Sequence, residues 1–207
     1  MKKLFAVLFS LAAMNFGVFA QNFSFDDVCK KLSENPNMTG DFSQEKLLKN
    51  ANRPMKSTGT FIISPNGIMW QTKKPFPSNM IVTKSFIKQI NSKGVATTTD
   101  VSKDAIFSNV SLMITSIFNG NSQEIYKSFN VDFSQSASSW KAVLTPKNEQ
   151  ISTVLTSLEI SGVLSKNAEI QKMIMTESSS SKTTYNLLNV KFPQELSQNE
   201  KNLFIEK

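Results

Sequence analysis

The chain has 207 residues, in which 23 lysines and arginines outnumber 16 aspartates and glutamates. It holds no histidine and a single cysteine, which removes the usual general base, the usual zinc ligand, any Ser-His or Cys-His pair and any internal disulfide. The length suits one domain with a substantial core, and the lysines are scattered rather than gathered into the basic, aromatic-laced run of a nucleic-acid binder.

Lys2 and Lys3, the apolar run from Leu4 to Ala13 and the small-residue pattern Val18-Phe19-Ala20 are the three parts of a secretory signal peptide over residues 1–20. The run is too short, and too broken by Asn15 and Gly17, for a retained membrane anchor. Gln21 rather than cysteine follows Ala20, so no lipid-attachment site is expected and residues 21–207 read as one soluble, exported domain. Without the two leader lysines an excess of about five positive charges remains. That mild bias suits a solvated basic surface and a weak attraction to anionic membranes.

In the exported chain, Ser24-Phe25-Asp26-Asp27 resembles a capping box, and Phe25, Val28, Cys29 and Leu32 follow at helical spacing until Asn35-Pro36-Asn37. Cys29 reads as a small buried hydrophobe on that helix. A first strand is expected over Met38 to Gln44, and the polar stretch Glu45 to Lys56 reads as a connecting turn. The firmest local signal is Gly59 to Trp70. Two β-rich runs flank Pro65-Asn66-Gly67, so a hairpin forms in which Phe61 and Ile63 share one face of their strand and Ile68 and Trp70 one face of theirs.

Met80 to Thr83, Phe86 to Ile90 and Val95 to Val101 continue the strands. From Asp104 the period changes: Ile106, Phe107, Val110, Met113, Ile114, Ile117 and Phe118 recur at threes and fours, which predicts a second amphipathic helix ending at Asn119-Gly120-Asn121. Further strands are expected at Phe129 to Phe133, Trp140 to Leu144, Leu158 to Ile160, Ile170 to Met175, Thr183 to Leu188 and Leu203 to Ile205, with Ser178 to Ser181 as a hairpin tip. The whole reads as one long antiparallel meander with two helices inserted.

Catalytic signatures are missing as well as histidine. No phosphate-binding glycine loop and no metal-ligand spacing occurs, and the adjacent Asp26-Asp27 is explained by the dipole of a helix's first turn. No catalytic residue, metal or cofactor is expected.

The order of features resembles the LolA family of periplasmic lipoprotein carriers. The residues that carry the likeness are the first helix ending near Leu32, Phe42-Ser43-Gln44, Gly59-Thr60 leading to Pro65-Asn66 and Trp70, and Pro75 and Pro77 before Ile81-Val82. Leu112-Met113-Ile114, Leu144-Thr145-Pro146-Lys147 and Thr184-Tyr185-Asn186-Leu187 follow. The resemblance implies a mainly β fold, a single curved antiparallel sheet forming an incomplete barrel covered by amphipathic helices, with an apolar cavity for acyl chains. Ile68, Trp70, Met80 and Val82 are the expected lining, and Phe25, Val28, Leu32, Leu112, Met113, Ile117 and Phe118 the expected lid.

The implied protein is a soluble, monomeric periplasmic carrier that receives acylated lipoproteins from an inner-membrane exporter and delivers them to an outer-membrane acceptor. The alternative is a related shuttle for a glycolipid or other acyl lipid. A structural β-protein with a filled interior would take up no lipid, and an enzyme is the least supported class. One position departs from the family: better-studied members place an arginine directly before the hairpin proline, where this chain has Ser64. LolB, the lipid-anchored relative, fits less well because no attachment cysteine is present.

Overall fold

The computed structural model describes residues 22–101, 112–113 and 115–205. The expected leader, and Ile106, Phe107, Val110 and Ile114 of the expected second helix, lie outside them. Helix α1 (Phe25–Ser33) begins at a reciprocal cap: the Ser24 hydroxyl accepts from the Asp27 N–H, and the Asp27 carboxylate accepts from the Ser24 N–H at 2.8 Å. These bonds, the backbone one foremost and the hydroxyl next, hold the Asp27 carboxyl below the ordinary carboxylate range.

A carboxyl whose folded-state pKa is depressed stabilises the fold above its unfolded value of about 3.9, and that contribution is lost as pH falls through the lower, folded value. Ser24→Ala should therefore cost about 1 kcal/mol at neutral pH. Denaturant titrations repeated at falling pH should show the gap between variant and parent narrowing below about pH 4.

Beyond Asn35-Pro36-Asn37 the chain forms β1 (Met38–Leu47), β2 (Met55–Ser64), β3 (Gly67–Lys74), β4 (Ser78–Val82), β5 (Phe86–Ile90) and β6 (Ala96–Asp100). Residues 112, 113 and 115–118 are helical. Helix α2 (Ser122–Ser128) leads into β7 (Phe129–Ser136) and β8 (Ser139–Pro146). Helix α3 (Glu149–Ser152) precedes β9 (Leu155–Leu164), β10 (Ala168–Glu177) and β11 (Lys182–Lys191), and α4 (Gln198–Asn202) follows them. All strands join one antiparallel sheet in the order β6-β5-β4-β3-β2-β1-β11-β10-β9-β8-β7, open between β6 and β7.

Three expectations need correction. The sheet is two meanders rather than one, because β11 returns to lie along β1 with Phe42 opposite Leu187, joining their buried faces. The stretch after Gln44 is not a turn throughout: β1 runs to Leu47 and β2 starts at Met55, since Glu45 faces Lys56 across the ladder and pairs with it at 2.9 Å. Leu203 to Ile205 is not a strand. Ser197 and Glu200 form a second capping box that starts α4, and Phe204 then packs with Ile62, Met69, Ile81 and Phe86 on the outer face of the sheet. Helices α2 and α3 were not expected either; Asn121, which reads as the end of a helical pattern, caps the first of them and Asn148 the second.

The sheet's other face curves around the main core. Trp70 on β3 and Trp140 on β8 stand six strands apart in the sheet order, roughly 29 Å if the sheet were flat, yet one continuous apolar cluster includes both. Helices α1, α2 and α3, together with Met113, Ile117 and Phe118, supply its members from outside the sheet.

Candidate functional site

Cross-strand partners share a face of a sheet, so the register alone places the expected lining residues. Ser64 faces Gly67 around the Pro65-Asn66 turn, which sets Phe61 opposite Trp70 and Ile63 opposite Ile68. On the next strand Trp70 faces Met80 and Ile68 faces Val82. All four therefore stand on the inner face, with Trp70 and Val82 buried, Ile68 half-buried and Met80 38% exposed.

Trp70 is the centre of this surface. Its ring stacks on Phe42 at 4.5 Å and on Phe61 at 5.5 Å, and meets Tyr185 edge-on at 5.0 Å. Such aromatic pairs add to the stabilisation from burial, and their flat walls leave few alternatives for side-chain placement. Burial, and then the Glu177 carboxylate, push the Tyr185 hydroxyl up to about 12, so it stays neutral.

The expected lid residues lie against the same cluster with one exception. Phe25, Val28 and Leu32 of α1 and Met113, Ile117 and Phe118 are buried within it, whereas Leu112 is 38% exposed. Phe25 meets Phe133 of β7 and Tyr126 of α2 at ring distances of 6.2 and 6.0 Å. Burial, followed by the bond to Asp26, raises the Tyr126 hydroxyl to about 12.

The two parts of the cover also touch each other. The mid-chain helix ends in a Schellman arrangement: the Asn121 N–H donates to the Ser116 carbonyl at 3.0 Å, and Gly120 takes the left-handed conformation at φ 71°. A Cβ on Gly120 would lie 2.7 Å from the Ser33 hydroxyl at the end of α1. Glycine thus serves twice, permitting the turn and letting the helices close together.

Several inner-face residues were not among those expected. Phe42, Phe61 and Tyr185 complete the surround of Trp70, and across the second meander Leu158, Met173 and Met175 are half-buried against the core. Their signal is the same period-two alternation that placed Ile68 and Trp70, carried on strands that are distant in sequence. Three buried polar atoms on this face, the indole Nε1 of Trp70 and of Trp140 and the Thr183 hydroxyl, have no hydrogen-bond partner among the described residues. Each such group costs about 1–3 kcal/mol while unsatisfied.

Cys29 is wholly buried beneath this cover, and desolvation, then the charge of Asp26, push its thiol up to about 12. A thiolate is the reactive form. A thiol reagent at pH 8 should label native protein at least a hundredfold more slowly than unfolded protein, and rapid labelling would show that α1 does not lie down on the sheet.

The family of outer membrane lipoprotein carrier protein LolA matches residues 34–201, most of the chain. The chain belongs to the LolA family. No curated protein matches it in sequence. Among solved structures, a LolA superfamily protein from Nitrosomonas europaea is similar at 7% identity, covering 89% of this chain and 99% of its own, with a TM-score of 0.49. A DUF1329 family protein from Desulfovibrio piger shares 8% identity over 84% of this chain and 93% of its own, at a TM-score of 0.46. A putative outer membrane lipoprotein-sorting protein domain from Vibrio parahaemolyticus gives 11% identity, 86% and 97% coverage and a TM-score of 0.38. The assignment to the LolA family rests on the sequence match.

At the position where the resemblance points to a LolA arginine, Ser64 is buried and used locally. Its hydroxyl accepts from the Asn66 N–H at 3.2 Å and donates to the Gly67 carbonyl at 3.3 Å. It tightens the hairpin turn. A cleft of about 530 Å³ lies mainly on the opposite face of the LolA sheet, where Thr39, Asp41, Gln71 and Asn189 meet Asn199 and Leu203 at the C-terminal helix. It shares none of the expected lining residues. Among the described residues no helix is long and apolar enough to cross a membrane.

Proposed function

We infer that this chain is a periplasmic carrier that shelters the acyl chains of lipoproteins between the inner face of its sheet and the helices lying on it. The family's carrier role supports the class. The observation that carries the mode of action is the cover itself: α1 and the side chains of Met113, Ile117 and Phe118 rest on an apolar, aromatic-rich face that continues across both meanders. Cargo would displace this cover and take over its apolar contacts. Each methylene removed from water contributes roughly 0.8 kcal/mol, so about ten of them would supply about 8 kcal/mol toward lifting the helices.

Reversibility follows from the same balance, since the helices compete with the cargo for one surface. Half-buried Met173 and Met175 suit a lining that must accept chains of differing shape. The Trp70 indole N–H, without a partner in the closed form, is a donor for an ester carbonyl at the head of an acyl chain.

Ser64 favours keeping a second reading, a shuttle for a glycolipid or other acyl lipid. With its hydroxyl committed to the turn, this chain lacks the charged group that the family resemblance associates with lipoprotein handling.

A fluorescent fatty-acid probe tests the shared part of both readings. Ile68→Asp should weaken probe binding at least about tenfold, the equivalent of 1.4 kcal/mol. Gln71→Asp, on the same strand but the outer face, should leave binding unchanged. Probe binding should also speed the labelling of Cys29. Equal affinity in both variants, or uptake with no change in labelling, would remove the inner face as the site.

A further inference from the structure

Antiparallel pairing sends alternate connections to opposite ends of the sheet. The β1–β2, β3–β4, β5–β6 and β10–β11 connections share one end, as does the entry to β9, where Leu155 faces Glu177. Exposed apolar side chains are concentrated there. Of the ten large ones among the described residues, Leu47, Leu48, Met55, Phe76, Val95 and Val154 are at this end. Phe76 is 74% exposed between Pro75 and Pro77, Val95 57% and Met55 54%. The turns of the other end, at Pro65-Asn66, Thr83 to Ser85, Ala137-Ser138 and Ser165 to Asn167, contribute none.

The charge on the three loops of the first meander has one sign, whereas the connection to β9 carries both Lys147 and Glu149. Lys49 and Arg53 follow Leu48, Lys73 and Lys74 precede Phe76, and Lys93 precedes Val95, with no acid in residues 48–54, 73–77 or 91–95. Nearby Glu45 and Glu177 are already paired, with Lys56 and Lys46. Successive loops of the first meander are two strand spacings apart, about 10 Å, so three apolar tips with basic neighbours form a row along one rim.

A protein partner would be expected to bring a shaped surface, and separate protruding tips ringed by lysine offer little groove to receive it. A fluid, anionic interface accepts isolated apolar side chains while its head groups meet the cations. We propose that this end of the sheet rests on anionic bilayer surfaces, with Phe76, Val95 and Leu48 entering the interface and the loop lysines held by acidic head groups. The contact rests on the loops and stands whether or not the inner face carries acyl chains. It brings the rim of the sheet to the membrane without any spanning segment.

Co-sedimentation of the purified protein with vesicles tests this. Binding is expected with mixed phosphatidylglycerol and phosphatidylcholine, should be at least about tenfold weaker with phosphatidylcholine alone, and should fall as salt screens the charges. Phe76→Ser with Leu48→Ser, and separately Lys73→Glu with Lys74→Glu, should each weaken binding by at least about tenfold. Lys84→Glu with Lys166→Glu, at the opposite end, should change it less than about twofold, the effect of net charge alone. All these side chains are on the surface, so unchanged circular dichroism and fatty-acid probe binding separate the result from misfolding and from failure of the carrier reading. Equal binding to both vesicle types, equal loss from both ends, or binding that appears only when an envelope membrane protein is reconstituted would overturn the proposal.

Discussion

Trp70→Ala should lower the unfolding free energy by about 3–5 kcal/mol, among the largest losses available to a single substitution in this chain. The indole is the shared partner of Phe42, Phe61 and Tyr185, at ring distances of 4.5, 5.5 and 5.0 Å. Removing it leaves a void bounded by three rings on three different strands, which cannot collapse together without shifting the sheet. In a domain of this size the midpoint of thermal unfolding should drop by roughly 10 °C or more. Trp70→Phe retains a ring that can stack and removes the unpartnered Nε1, so its loss should be much smaller. Thermal and urea unfolding of both variants check this. Near-equal losses would mean that a smaller ring at this position recovers neither the packing nor the stacking of the indole.

The second large effect is expected at Gly59. A Cβ there would lie 1.9 Å from the Gln71 carbonyl oxygen and 2.7 Å from a ring carbon of Phe42. The first is backbone of the neighbouring strand and cannot swing aside. The register already shifts between Thr58 and Gly59, where the ladder accommodates the close approach. Gly59→Ala should therefore cost at least about 3 kcal/mol, by forcing β2 from β3 and tilting the ring under Trp70. Equilibrium unfolding gives the magnitude, and the near-ultraviolet circular dichroism of Trp70 reports whether the stack is disturbed. Unchanged stability would show that β2 and β3 are further apart than described.

These two residues also show what was legible in advance. Gly59 to Trp70 carried a turn signal and a period-two pattern that agreed, so the hairpin and the facing of Phe61, Ile63, Ile68 and Trp70 followed from local chemistry. The cap at Ser24 and the buried stripe of α1 were equally local. What remained hidden depended on pairing between distant segments. Nothing in Met38 to Leu47 announces that β11 will lie against it, yet that pairing brings Tyr185 to Trp70 and joins the two meanders. Leu203 to Ile205 misled because three apolar residues in a row suit a strand, whereas the polar Ser197 to Glu200 before them decided the local structure. Met173 and Met175 were placed on a strand correctly, but which face was inner required their partners Tyr185 and Thr183.

The position of Ser64 shows a limit of another kind. A family pattern points to a charged group before the hairpin proline, and only the hydrogen bonds of this chain reveal a hydroxyl satisfied within its own turn. The residues that rest on the inner face meet one another by close approach, Gly120 lying against Ser33.

Neighbouring positions on β3 permit the most direct test of where cargo binds. A photo-activated cross-linking residue placed at Ile68 faces the inner side, and one placed at Gln71 faces the outer cleft. After irradiation in the native envelope, mass spectrometry of the adducts should find acylated polypeptide on the protein labelled at position 68 and not at position 71. Free acyl lipid at position 68 would select the second cargo reading. Adducts equal at both positions, or none bearing an acyl chain, would contradict the account.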